Sequence, residues 1–145
     1  MYIYPIMKYV LLLTLLLSVS CQSDHAETII GQWQVDSVAT FYNGFTYRSP
    51  AQHWNETYRY DSTQVTMKRS EGSQTLPYYI EKDTLYYLDQ LRSPLSQFTI
   101  VRLSNEQMIL MKEKTPLWQG GEQTRYEIRY FSRTNDSPLT TRVSP

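Results

Sequence analysis

The residue types that most often carry out chemistry in proteins are few in this chain and lie far apart. Its only cysteine is Cys21, and its two histidines, His25 and His53, match no zinc-ligand spacing. The sequence also lacks the nucleophile-elbow, phosphate-loop and His-Glu-x-x-His motifs. Glu81 and Asp83 are paired carboxylates, but acidic residues beside turns commonly bond the local backbone. We therefore expect a protein that is not an enzyme and that holds no metal or other cofactor.

Cys21 has a different chemistry, because it directly follows an apolar run, residues 9–19, and the small residue Ser20. The run is within the ~7 to 15 residues of a signal-peptide hydrophobic region and short of the ~20 that span a bilayer. Residues 18–21 (Ser-Val-Ser-Cys) resemble the lipobox of bacterial lipoproteins, in which the cysteine receives a diacylglycerol before cleavage. The resemblance implies a signal peptide over residues 1–20 and a membrane anchor on Cys21. The alternative is a secreted soluble protein with a free cysteine.

The residues around the predicted domain are polar. Residues 21–28 are expected to form a lipidated tether, and residues 134–145 a disordered tail. No Asp follows Cys21 directly, so the chain lacks what resembles an inner-membrane retention signal. We expect an outer-membrane lipoprotein of the bacterial envelope, facing the periplasm or the cell surface.

The sequence of residues 29–133, between the tether and the tail, predicts strands. Apolar and polar residues alternate from Ile29 onward, which is the period of a strand whose two faces differ. Short polar turns separate the runs, while residues 45–55 predict a long loop or a short helix. The pattern predicts an all-β fold, an antiparallel up-and-down meander of about eight strands. Closure into a barrel removes the unpaired edges of such a sheet.

The first strand opens with Gly31-Gln32-Trp33, which resembles the Gly-x-Trp signature of lipocalins. In that family the tryptophan plugs one end of the barrel and an arginine of the last strand packs over its ring; here Arg129 or Arg133 is the candidate. Residues 30–132 as a whole resemble the lipocalin-like lipoproteins of Gram-negative bacteria. The resemblance implies a lipocalin-like barrel and no particular activity.

Tyrosines are the one set of residues that a binding function can use, with 13 Tyr against 4 Phe. Phenol rings combine an apolar face with a hydroxyl, which suits a lipid, a quinone-like ring or a sugar. The alternative is that they only fill the barrel. The predicted interior binding residues are Trp33, Tyr58, Tyr60, Tyr78, Tyr87, Tyr126 and Tyr130.

Two functions follow from these patterns. The first is a lipid-anchored barrel that binds a small apolar or amphipathic ligand without catalysis. The second is an envelope protein-protein interaction module, an accessory subunit or an inhibitor, with a filled barrel and an aromatic segment over residues 41–57. That segment contains Phe41, Tyr42, Phe45, Tyr47 and Trp54. Because 14 Lys and Arg balance 14 Asp and Glu, no nucleic-acid partner is expected.

Overall fold

The computed structural model describes residues 25–50, 55–117 and 122–134, which form one helical turn and nine strands. The predicted signal peptide, Cys21 and the predicted tail after Thr134 lie outside the described residues. The second half of the predicted tether is helical. In chain order the elements are α1 (His25–Thr28), β1 (Gly31–Tyr42), β2 (Phe45–Pro50), β3 (Thr57–Tyr60), β4 (Gln64–Arg69), β5 (Gly72–Glu81), β6 (Thr84–Leu88), β7 (Pro94–Leu103), β8 (Gln107–Glu113) and β9 (Arg125–Arg133).

The strands close into a barrel because β1 has neighbours on both edges. It pairs with β9 on one edge, and with β2 and β3 one after the other on the opposite edge. β2 lies against residues 37–42 and β3 against residues 31–34, so the two short strands share one position in the barrel. The result is a closed antiparallel barrel with eight strand positions, which confirms the predicted fold class.

The turns explain why consecutive strands pair. Asn43 and Gly44 both have positive φ, at 44° and 93°, as the tightest hairpin turns require. After β3, the Asp61 carboxylate accepts hydrogen bonds from the backbone N–H groups of Thr63 and Gln64, both at 2.8 Å. Such local side-chain bonds hold the chain in a reversal without further packing. The turns predicted at residues 61–63, 82–83 and 104–106 are confirmed.

The segment after Asn43-Gly44 differs from the expectation of a loop or helix. Residues 45–50 form β2, with six backbone positions in register with β1. Its sequence, Phe-Thr-Tyr-Arg-Ser-Pro, gave no clear alternation because the strand is mostly exposed on both faces. Pairing with β1, rather than burial, defines this strand.

The two ends of the barrel differ, and we name them after their residues. The Trp33 end carries α1 and the turns at residues 61–63, 82–83 and 104–106, while the Glu56 end carries the turns at residues 43–44, 70–71 and 89–93. Sixteen buried side chains form one apolar cluster. They come from the strands and from Ile29, which lies between α1 and β1. In the described residues, no helix is long and apolar enough to cross a membrane.

Candidate functional site

The Trp33 end is sealed by an arginine that packs on the tryptophan. Trp33 is fully buried, and its indole Nε1 donates a 2.8 Å hydrogen bond to the carbonyl of Ile29. The guanidinium carbon of Arg133 lies 4.3 Å from the Trp33 ring centroid. Of the two arginines proposed from the sequence, Arg133 therefore makes this contact, and Arg129 does not.

Arg133 also forms hydrogen bonds with three backbone carbonyls. Its guanidinium donates hydrogen bonds to the carbonyls of Thr28 at 2.6 Å, Ile30 at 2.8 Å and Asn105 at 2.6 Å. The close approach requires Gly31, whose φ is +135° and whose missing Cβ would overlap the Arg133 side chain. Gly31 thus leaves room for the Arg133 side chain, and Trp33 provides the ring on which that side chain packs.

Beside Trp33, which pairs with Tyr58, lies a layer of tyrosines that the sequence predicted. Tyr58, Tyr60 and Tyr87 are buried, and the hydroxyls of Tyr60 and Tyr87 hydrogen-bond to each other. Tyr60 packs edge-on against Tyr78 at 5.2 Å, and the Tyr78 hydroxyl donates a 2.6 Å bond to the carbonyl of Asp61. Burial raises the pKa of Tyr78 to about 12 and that of Tyr60 well above its usual value. The phenols of this layer therefore stay neutral at physiological pH.

Two of the predicted interior residues lie on the outer face instead. The ring of Tyr126 stacks on Phe41 at 4.6 Å, and the Arg48 guanidinium lies 4.3 Å from the Tyr130 ring centroid. The fully buried Phe131 shows which face of β9 points inward. Because side chains alternate along a strand, every second residue before Phe131 points inward as well.

The inward face of β9 brings Arg129 and Glu127 into the barrel, where the sequence pattern had placed apolar residues. Arg129 donates a 2.7 Å hydrogen bond to the Glu127 carboxylate and a 2.8 Å bond to the Tyr58 hydroxyl. A second ion pair joins Arg129 to Glu56 at 3.4 Å. This arginine connects the tyrosine layer to the charges of the Glu56 end.

Glu56 is the acidic centre of this group and is only 5% exposed. Its carboxylate accepts a 2.9 Å hydrogen bond from the Tyr58 hydroxyl and pairs with Arg69 at 3.0 Å. Lys114 adds an ion pair to Glu127 at 2.9 Å. We call Glu56, Arg69, Lys114, Glu127 and Arg129 the ion cluster.

The ion cluster carries a positive surplus, with three cationic side chains against two carboxylates. Burial opposes ionisation of Glu127, but the charges of Arg129 and Lys114 outweigh it and lower its pKa. Burial likewise opposes the charge on Arg129, but Tyr58, Glu127 and Glu56 more than compensate and raise its pKa. Arg69 reaches solvent, with 47% of its side chain exposed.

The ion cluster was missed because apolar alternation in β9 pointed to the tyrosines. A signal was nevertheless present in the sequence. If Arg129 or Arg133 faces Trp33, the odd-numbered residues of the last strand point inward, and Tyr126 and Tyr130 must point outward. Glu56 carried no such signal, since it precedes β3 and only the fold brings it to Arg129.

The described residues contain no group of three or more His, Cys, Asp and Glu side chains that could hold a metal ion. Arginines and lysines dominate the ion cluster, and these are donors that repel cations. No protein-family model, curated protein or solved structure matches this chain. The class of protein is therefore described by its own structure: a closed antiparallel barrel with eight strand positions and the ion cluster inside one end.

Proposed function

We propose that this protein is a lipid-anchored envelope lipoprotein whose lipocalin-like barrel binds a small amphipathic molecule with an anionic group, without catalysis. The bound molecule would place its anionic group at the ion cluster and its apolar part against the tyrosine layer. The anchor would be the acylated Cys21, in the outer membrane.

The observation that carries the proposal is the ion cluster above an aromatic layer inside one barrel. Binding sites for small molecules are typically apolar concavities with a few convergent polar groups. The surplus cation favours an anionic over a cationic or neutral ligand. Arg69 is the natural first contact, because it is the most exposed cation of the cluster.

An arginine beside a tyrosine hydroxyl supports a carboxylate as the anionic group of the ligand. Fatty-acid-binding barrels hold a carboxylate with an Arg-x-Tyr pair, and in this chain Arg129 and Tyr130 are adjacent. The fold supplies an equivalent pair from two strands, since Arg129 donates to the hydroxyl of Tyr58 at 2.8 Å. An arginine beside a neutral phenol is suited to a carboxylate.

The position of the anchor would orient the barrel. α1 lies at the Trp33 end, and the chain from Cys21 to His25 spans at most about 14 Å. An acylated Cys21 would therefore hold the Trp33 end near the membrane. The ion cluster would face away from it, toward the aqueous phase.

Ligand binding is tested by calorimetry on a chain that begins at Gln22, with octanoate and its neutral counterpart octanamide as probes. Octanoate is expected to bind about tenfold more tightly, which corresponds to one charge-assisted hydrogen bond. Arg69→Gln should remove the preference. Lys68→Gln is the matched control, because Lys68 is exposed on the neighbouring position of β4. Equal affinities for the two probes, or an unchanged preference in Arg69→Gln, would refute the proposal.

The anchor is tested separately by labelling cells with an alkyne fatty acid. The wild-type protein is expected to take up label and to fractionate with the outer membrane. Cys21→Ala should abolish the labelling. Label that persists in Cys21→Ala, or a wild-type protein without label, would contradict a lipid on this residue.

One observation favours the second function, an interaction module. Phe45 and Tyr47 on β2 are 80% and 68% exposed. Phe41 does not join them, because it stacks on Tyr126, and Trp54 lies outside the described residues. Chemical cross-linking in intact cells tests this function. A partner lost in a Phe45→Ser, Tyr47→Ser double variant with unchanged octanoate binding would support an interface on β2.

A further inference from the structure

The wall of the barrel is incomplete between β7 and β8. Their ladder runs from Leu103↔Met108 to Thr99↔Met111 and is not continued by the earlier residues of β7. Those residues pair with β6 on the other edge of β7, as in Tyr87↔Ser96. β8 meanwhile stays with β9. The two strands therefore diverge toward the Glu56 end, and we call the space between them the wall gap.

A cavity of about 210 Å³ occupies the wall gap. It is lined on β7 by Gln97, Phe98 and Thr99, and on β8 by Met111, Lys112 and Glu113. Successive residues of a strand point to opposite faces of a sheet. Of the lining residues, Phe98 and Lys112 share the inward face with buried Ile100 and Leu110, whereas the others point outward. The cavity therefore opens on the outer face and reaches inward through the wall gap.

Lys112 is the charged group on the inner side of this cavity. Its Nζ lies 5.2 Å from the centroid of the Phe98 ring. Within the described residues it forms no ion pair, unlike Lys114, which pairs with Glu127. Burial, and then the charge of Lys114, lower the pKa of Lys112, although Glu127 acts in the opposite direction. Among the described residues, the ammonium of Lys112 thus has the Glu127 charge nearby but no direct ion pair, and it borders the cavity.

The remaining lining of the wall gap combines apolar surface with neutral hydrogen-bonding groups. Tyr86, Phe98 and Met111 contribute rings and a thioether, while Thr84, Gln97 and Thr99 contribute hydroxyls and an amide. The volume is below the usual 300–1,000 Å³ of drug-sized pockets. It suits a molecule with a single ring. Glu113 is exposed at the rim and disfavours ligands with more than one negative charge.

We infer that the wall gap binds a small monocyclic carboxylate, with the carboxylate on the Lys112 ammonium and the ring between Tyr86, Phe98 and Met111. The inference goes beyond the proposed function, because the site lies in the wall and uses none of the residues of the ion cluster. A neutral ring of the same shape lacks the partner for Lys112 and binds more weakly.

The experiment compares benzoate with benzamide on the exported protein, purified from membranes in a non-ionic detergent. Calorimetry is expected to give an affinity for benzoate about tenfold to a hundredfold higher, the range of one hydrogen bond between charged groups. Amide NMR shifts should be largest at residues 84–86, 97–99 and 111–113. Equal affinities, or no benzoate binding at all, would overturn the inference.

Substitutions of Lys112 test whether benzoate binds in the wall gap. Lys112→Gln should lose the preference for benzoate, while Lys112→Arg, which keeps the charge, should retain it. Lys68→Gln is the control for a lost surface lysine, and Arg69→Gln should leave the benzoate-induced NMR shifts at residues 84–86, 97–99 and 111–113 unchanged. A normal preference in a folded Lys112→Gln protein, or NMR shifts centred on Glu56, would also refute the wall gap. Because Arg69→Gln reports on the ion cluster alone, failure of the proposed function is distinguishable from failure of this inference.

Discussion

Replacement of Gly31 by alanine should destabilise the protein more than its backbone conformation alone explains. Gly31 has a φ of +135°, which L side chains rarely adopt, and an added Cβ would overlap the Nη1 atom of Arg133. Arg133 would have to leave the Trp33 ring and its three carbonyl acceptors. Two separable costs, backbone strain and loss of the Arg133 contacts, are therefore combined at one position.

The magnitudes can be worked out separately. Strained φ values cost about 1–3 kcal/mol each. A hydrogen bond from a charged group contributes about 1.5–3 kcal/mol when buried, and a cation-π contact about 0.5–2 kcal/mol. Because the Arg133 contacts are partly exposed and screened, their sum is discounted to about 2–4 kcal/mol. Gly31→Ala should thus cost about 3–7 kcal/mol in total.

Gly72 provides the matched control. Its φ is +146°, but nothing lies within 4 Å of an added Cβ. Gly72→Ala should therefore cost only the strain, about 1–3 kcal/mol. In an Arg133→Ala background, Gly31→Ala should fall to the same value, since no guanidinium remains to be displaced.

The assay is urea unfolding followed by circular dichroism, on the four proteins of the Gly31/Arg133 cycle and on Gly72→Ala. A coupling energy of about 2 kcal/mol or more between the two positions is expected. Additive effects, or equal costs for Gly31→Ala and Gly72→Ala, would show that Gly31 is required for its φ alone. The described role of this glycine at the Trp33 end would then be wrong.

Three further predictions concern β9, the ion cluster and the tyrosine layer. Phe131→Ala should cost about 3–5 kcal/mol in urea unfolding, because the ring is fully buried, and Tyr130→Ala less than about 1.5 kcal/mol; the reverse order would put the wrong face of β9 in the barrel. Glu56→Gln keeps the shape but removes the charge that faces Arg129 and Arg69, so the unfolding free energy should fall by about 1–3 kcal/mol; an unchanged value would mean that the ion pairs contribute nothing. Burial raises the pKa of Tyr78 from 10.0 to about 12, and a raised pKa in the folded state adds stability that is complete below pH 10 and lost as the pH rises toward 12. Phenolate absorbance and circular dichroism measured together should show this loss, and full ionisation near pH 10 in the folded protein would contradict it.

The ion cluster is weak evidence for stability by itself. Buried ion pairs often stabilise no more than well-packed apolar residues of the same volume. Glu56 and Arg129 are nevertheless held by several partners each, which fixes their geometry. An apolar replacement of both side chains that kept the fold but lost octanoate binding would separate the binding role from packing.

The alternation of residues along the chain was sufficient to predict the all-β class, the meander and most turns. A two-residue period and local turn chemistry are properties of short segments, so they can be read before any contact is known. The buried positions of Tyr58, Tyr60 and Tyr87 followed in the same way. The signal peptide and the lipid on Cys21 also rest on local sequence, and they stay predictions.

The tertiary structure was needed to confirm which face of β9 points inward, a choice that only the arginine signal favoured, and to show that β2 and β3 share one position. Both faces of β9 carry rings, so hydrophobicity did not distinguish them; closure against β1, with Phe131 opposite Val35, did. The ion cluster likewise depends on closure, because Glu56 and Arg129 are 73 residues apart in the chain. Contacts between distant segments exist only once the sheet has curved and its first and last strands have paired, and no local pattern encodes that pairing register.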